Sequence, residues 1–96
     1  MSIIDEAVAA LNARLSPGLE GCAKFVLEGE GTIVLDARGA RSGDEPADVT
    51  LIASPETFVA IFEGGLSPMS AYMSGRLRVE GDLGLALRLG TLLGRG

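Results

Sequence analysis

Histidine and tryptophan are missing from this chain, and cysteine and tyrosine occur once each, as Cys22 and Tyr72. Without histidine there is no imidazole base, no imidazole zinc ligand and no Ser–His or Cys–His nucleophile. One cysteine forms no intrachain disulfide and completes no zinc or iron–sulfur centre. No apolar run approaches the roughly 20 residues of a membrane-spanning helix, and Asp5 and Glu6 stand where a secretion signal would be basic. The glycines at Gly29, Gly31, Gly39 and Gly43 lack the Lys-Ser/Thr of a phosphate loop and read as turns. No catalytic residue, cofactor or metal is therefore expected, and the expected compartment is the cytoplasm.

Basic charge is also scarce, with 8 basic against 13 acidic residues and a net charge of −5. Such a surface disfavours nonspecific attraction to nucleic acid or to an anionic membrane as a whole. The balance is uneven. Residues 1–65 carry 4 basic and 11 acidic side chains, net −7, whereas residues 66–96 carry 4 basic and 2 acidic, net +2. Asp44, Glu45 and Asp48 lack the spacing of a calcium loop and read as a solvated turn. Nothing beside Cys22 in sequence lowers its pKa, so it reads as structural.

What the chain does have is apolar: 47% of its 96 residues, enough for one domain over residues 1–96. Three of the four aromatics and two of the three methionines fall within residues 54–82. There, Ser54-Pro55 opens a helix carrying Phe58, Ile61 and Phe62 at i, i+3, i+4, and Gly64-Gly65 ends it. Ser67-Pro68 opens a second, short helix with Met69, Tyr72 and Met73 in the same spacing, and Gly75 ends that one. Arg76-Leu77-Arg78-Val79-Glu80 then alternates charged and apolar, the period of a strand with one buried face. Gly81 closes it, and Asp82 is placed to cap another helix.

Before this stretch, Ser2 to Asp5 resembles a capping box, and Ile4, Val8, Leu11 and Leu15 predict a helix over about 3–15, ended by Ser16-Pro17-Gly18. Phe25 and Leu27, then Ile33 and Leu35, alternate with polar neighbours on either side of Glu28-Gly29-Glu30-Gly31, which predicts a hairpin. Residues 38–48 hold no large apolar side chain and read as an exposed loop or a weak edge strand. Asp48 to Ile52 restores the alternation. After Asp82 the leucines at 83, 85, 87, 89, 92 and 93 make a helix apolar on nearly every side, which predicts burial on more than one face. The order gives an α+β fold, one sheet with helices packed on it.

The stripe of Phe58, Ile61, Phe62, Met69, Tyr72 and Met73 reads equally as core or as the wall of a hydrophobic cavity. Methionine is a pliable lining for such a cavity, and the last helix is more apolar than a domain this small covers by itself. The occupant is either a hydrophobic ligand or protein, the latter as a homodimer through the C-terminal helix or docking on an enzyme that handles hydrophobic substrates.

Phe62-Glu63-Gly64-Gly65-Leu66-Ser67-Pro68, followed by Tyr72 to Asp82 and Leu85-Ala86-Leu87-Arg88-Leu89, resembles the sterol carrier protein domain of the nonspecific lipid-transfer family. That family's pattern is a helix ending in Gly-x-Leu-x-Pro, a short apolar helix, a Gly-Lys-Leu-x-Ile-x-Gly-Asp strand and a leucine-rich helix. The likeness is specific over 48–93 and looser before it. It implies a mostly antiparallel sheet of about five strands covered by helices, with an apolar tunnel between them that takes a fatty acyl, isoprenoid or sterol-like lipid without catalysis. It further implies lining by Phe58, Phe62, Met69, Tyr72, Met73, Leu77, Leu89 and Leu92, with membrane contact transient and without insertion. The 38–48 stretch is shorter and more polar than its family counterpart, and Gly94-Arg95-Gly96 differs from a peroxisomal Ser-Lys-Leu tail.

Overall fold

A computed structural model describes residues 3–14 and 21–93, the side chains of Arg14 and of residues 90–93 excepted. The elements run α1 (Ile3–Arg14), β1 (Ala23–Leu27), β2 (Gly31–Asp36), β3 (Gly39–Ser42), β4 (Val49–Ala53), α2 (Pro55–Phe62), α3 (Pro68–Met73), β5 (Leu77–Gly81) and α4 (Leu83–Leu93). The five strands form one sheet in the order β3-β2-β1-β4-β5, antiparallel except for the β1–β4 pair. The expected α+β sheet covered by helices is thus what the chain forms. Leu15 and the expected cap and stop of the first helix lie outside the described residues.

Register places the core. Ile33, Phe25, Leu51 and Val79 lie in one row across β2, β1, β4 and β5, and Leu35, Ala23 and Val49 in the next row of that face. This is the inner face, covered by the helices, with Leu11, Phe58, Ile61, Ala71, Leu85 and Leu89 buried against it. The helix starts follow the sequence closely: Ser54 Oγ accepts from the Thr57 N–H (3.2 Å) and Ser67 Oγ from the Ser70 N–H (3.0 Å), each ahead of a proline in the first turn. Gly64 (φ 83°) and Gly75 (φ 82°) take the left-handed conformation that ends α2 and α3.

The outer face is crossed by chain rather than by helices. Residues 43–48 run from β3, at one edge, back to the start of β4, which pairs with β1. Lys24 Nζ holds Asp44 Oδ1 at 3.0 Å, Arg41 holds Glu45 Oε1 at 2.8 Å and Asp36 Oδ2 at 3.0 Å, and Asp48 Oδ2 accepts from the Cys22 N–H at 3.0 Å. The acidic stretch is solvated as expected, with Asp44, Glu45 and Asp48 exposed, and its ion pairs also make it a strap tied to the sheet. Val34, whose register partners are Lys24 and Arg41, is fully buried on this outer side. Residues 39–42 are a properly paired edge strand, because α1 packs on β3 and the Asn12 amide donates to the Ala40 carbonyl (3.0 Å) and accepts from its N–H (2.8 Å). No helix among the described residues is long and apolar enough to cross a membrane.

Candidate ligand cavity

Among the described residues, two apolar cavities lie between the sheet and the helices. The larger, about 440 Å³, is walled by Leu51, Leu77 and Val79 from the sheet, Phe58 and Ile61 from α2, Ser67 to Met69 and Tyr72 at α3, and Leu83, Ala86 and Leu87 from α4. None of these lining residues is charged. The smaller, about 290 Å³, lies between α1 and α2, where Ile3, Ala7, Ala10 and Leu11 face Phe25, Leu27, Ile33, Val59 and Phe62, with Glu6 its one charged lining residue among those described. Phe58 belongs to both. The two linings thus meet at this ring among the described residues.

The wall is assembled by helix phase. Helical residues advance by about 100° each, so Pro68, Met69 and Tyr72 share one side of α3, while Ala71 is buried on another. Met73 turns past the cavity, is 78% exposed and lines neither space. On α4, Leu85 and Leu89 (i, i+4) are buried in the core, whereas Leu83 and Leu87, offset by two residues, are 54% and 58% exposed at the edge of the larger cavity. The last helix is accordingly buried along one stripe among its described side chains, not on several. Leu89, with no exposed surface, is packed in the core away from either lining.

Of the residues expected to line a ligand site, Phe58, Met69, Tyr72 and Leu77 meet at the larger cavity and Phe62 at the smaller. Leu92 lies outside the described side chains. Sequence reasoning missed the α1 wall and the contribution of Leu83, Ala86 and Leu87. The i, i+3, i+4 spacing of the latter three was a usable signal, hidden by the leucines on every other side of α4. Arg76, Arg78 and Arg88 are exposed and line neither cavity, and Arg78 pairs with Glu80 (3.3 Å) on the outer side of β5.

Electrostatic perturbation lies away from both spaces. Burial, then the nearby carboxylates of Asp36 and Asp48, pushes the Cys22 thiol up, and its Sγ faces the Pro46 carbonyl at 3.8 Å. The Arg38 N–H, followed by the Arg41 guanidinium, holds the Asp36 carboxyl below its ordinary range. No group of three or more potential metal ligands occurs among the described residues.

The pattern of the SCP-2 sterol transfer family matches residues 4–94. The chain belongs to that family. It is 39% identical over 84 residues to hydroxysteroid dehydrogenase-like protein 2 of Xenopus tropicalis, an alignment that covers 79% of this chain and 20% of the relative. The chain thus spans about a fifth of the length of that curated relative. Among solved structures, the sterol carrier protein-2 of Aedes aegypti in complex with C16 fatty acid (palmitate) superposes with a TM-score of 0.79 at 24% identity, covering 97% of this chain and 96% of the other. The sterol carrier protein domain 2 of Helicoverpa armigera gives 0.66 at 31% identity, covering 95% and 80%.

Proposed function

We propose that this SCP-2 domain binds a long hydrophobic molecule, a fatty acyl, isoprenoid or sterol-like lipid, in the larger cavity, and carries it without chemical change. The observation that carries this reading is the uncharged apolar lining drawn from the sheet and three helices. Burying about 300 Å² of hydrocarbon contributes on the order of 7 kcal/mol before association costs. Selectivity then rests on length and bulk more than on polar recognition, since Ser67 and Tyr72 supply the hydroxyls at this wall. The smaller cavity is the poorer site for an anionic lipid because Glu6 stands at its lining. The palmitate held by the Aedes aegypti protein of the same fold supports this class of ligand.

A second reading concerns the destination of the ligand. In the Xenopus tropicalis relative this domain is a fifth of a longer chain named as dehydrogenase-like. That arrangement favours a domain that holds hydrophobic substrate for an enzyme, on the same or another chain.

Native mass spectrometry of the purified protein, followed by organic extraction, tests the ligand. Near one long-chain lipid per chain is expected. Delipidated protein that takes up no fluorescent fatty acid would overturn the reading.

A further inference from the structure

The two edges of the sheet are finished differently. At β3 the Asn12 amide occupies the donor and acceptor of Ala40 as a neighbouring strand would. At β5 nothing equivalent is present among the described residues. The Asp82 N–H donates to the Asp48 carbonyl (2.9 Å), and with the β4–β5 register this fixes the alternation. Arg78 and Glu80 exchange peptide hydrogen bonds with β4, and the peptide groups of Leu77, Val79 and Gly81 point outward.

The side chains along this edge are self-complementary. Arg76-Leu77-Arg78-Val79-Glu80-Gly81-Asp82 places two positive charges before Val79 and two negative charges after it, at mirrored positions. If a second copy pairs antiparallel with Val79 opposite Val79, then Arg78 stands opposite Glu80, twice by symmetry, while Arg76 and Asp82 flank the two ends of the paired strands. The same register sets the outward peptide groups of Leu77, Val79 and Gly81 against one another, giving about six inter-strand hydrogen bonds. Arg78 and Glu80 then fall in the closely spaced, non-hydrogen-bonded pairs, where opposite charges help most. Like charges along an edge deter pairing; of the antiparallel registers, the one centred on Val79 avoids a like pair, whereas a shift by two residues sets Arg78 on Arg78 or Glu80 on Glu80 at its centre.

We propose that β5 is the seam of a homodimer, in which two copies join edge to edge about Val79 into one ten-stranded sheet. The partner is a second copy because both the hydrogen-bonding phase and the charge order are satisfied by the same strand reversed. The seam is isologous and closes. Leu77 and Val79 line the larger cavity of each copy, so the two cavities stand beside one another across the seam. The proposal does not rest on what the cavities hold.

Sedimentation velocity from micromolar to millimolar protein tests it. The wild type is expected to pass from monomer to dimer. Glu80→Arg, which sets arginine against arginine, is expected to weaken dimerisation at least tenfold, and the swap Arg78→Glu/Glu80→Arg to restore it. Leu87→Asp, on α4, leaves the dimer intact. All the changed positions are exposed, and circular dichroism verifies the fold of each variant. A wild type that stays monomeric throughout would overturn the proposal. So would dimerisation untouched by Glu80→Arg, a swap as weak as the single change, or a dimer lost on Leu87→Asp alone.

Discussion

The ring of Phe58 stands edge-on to that of Phe25, with centroids 5.9 Å apart and planes at 81°. Phe25, on β1, lines the smaller cavity, and Phe58, on α2, lines both, so this edge-to-face contact stands where the two linings meet. Such a pair is worth about 0.5–1.5 kcal/mol beyond its buried area. Phe58→Ala removes the contact and leaves a void beside both linings. It should lower stability by about 3 kcal/mol in urea unfolding, while Phe58→Leu, which keeps most of the buried volume, should cost markedly less.

Two leucines of one helix separate lining from folding. Leu89→Ala removes a fully buried core side chain and should cost about 2–5 kcal/mol. Leu87→Asp changes an exposed residue of the cavity wall. It should alter stability by no more than about 0.5 kcal/mol yet weaken uptake of a fluorescent fatty acid at least tenfold. Thermal unfolding and a binding titration on both variants check the pair. Equal uptake by folded Leu87→Asp and wild type would remove α4 from the site.

Most of the fold was legible because the signals were local. Two Ser-Pro starts, two glycine stops and the alternation of Leu77 and Val79 each specify their own element without reference to the rest of the chain. The site was legible only in part. Helical spacing grouped Met69, Tyr72 and Met73 but did not say which side of α3 faces the sheet; the burial of Ala71 decides that and turns Met73 outward. The small alanines of α1 gave no sign that they border a cavity, since the space is defined by Phe62 and Val59 across from them. The strap of 43–48 escaped because its ties, Lys24 to Asp44 and the Asp48 carboxylate to the Cys22 N–H, span 20 and 26 residues.

Asp36, at the end of β2, makes stability acid-sensitive. Asp36 has a lower pKa folded than unfolded, through the Arg38 N–H and then Arg41. Its ionised form therefore stabilises the fold above the ordinary carboxylate range, and that contribution is lost as pH falls through the folded pKa. Asp36→Asn should flatten the acid side of the melting temperature's pH profile and leave the profile between neutral and mildly alkaline pH parallel to that of the wild type.

Cys22 should react slowly. Its thiol is pushed up by burial and neighbouring carboxylates, so at mildly alkaline pH the thiolate is scarce. Alkylation by iodoacetamide should be slower than that of a free cysteine and should accelerate on unfolding in urea, as followed by mass spectrometry.

The most direct test of the larger cavity is a methyl NMR titration of delipidated protein with a C16 fatty acid. Saturable shifts should concentrate at Met69, Leu77, Leu83 and Leu87, with the α1 methyls of Ile3 and Ala7 little changed. Shifts confined to the α1 side, or none that saturate, would contradict the assignment of the ligand to the space between the sheet, α3 and α4.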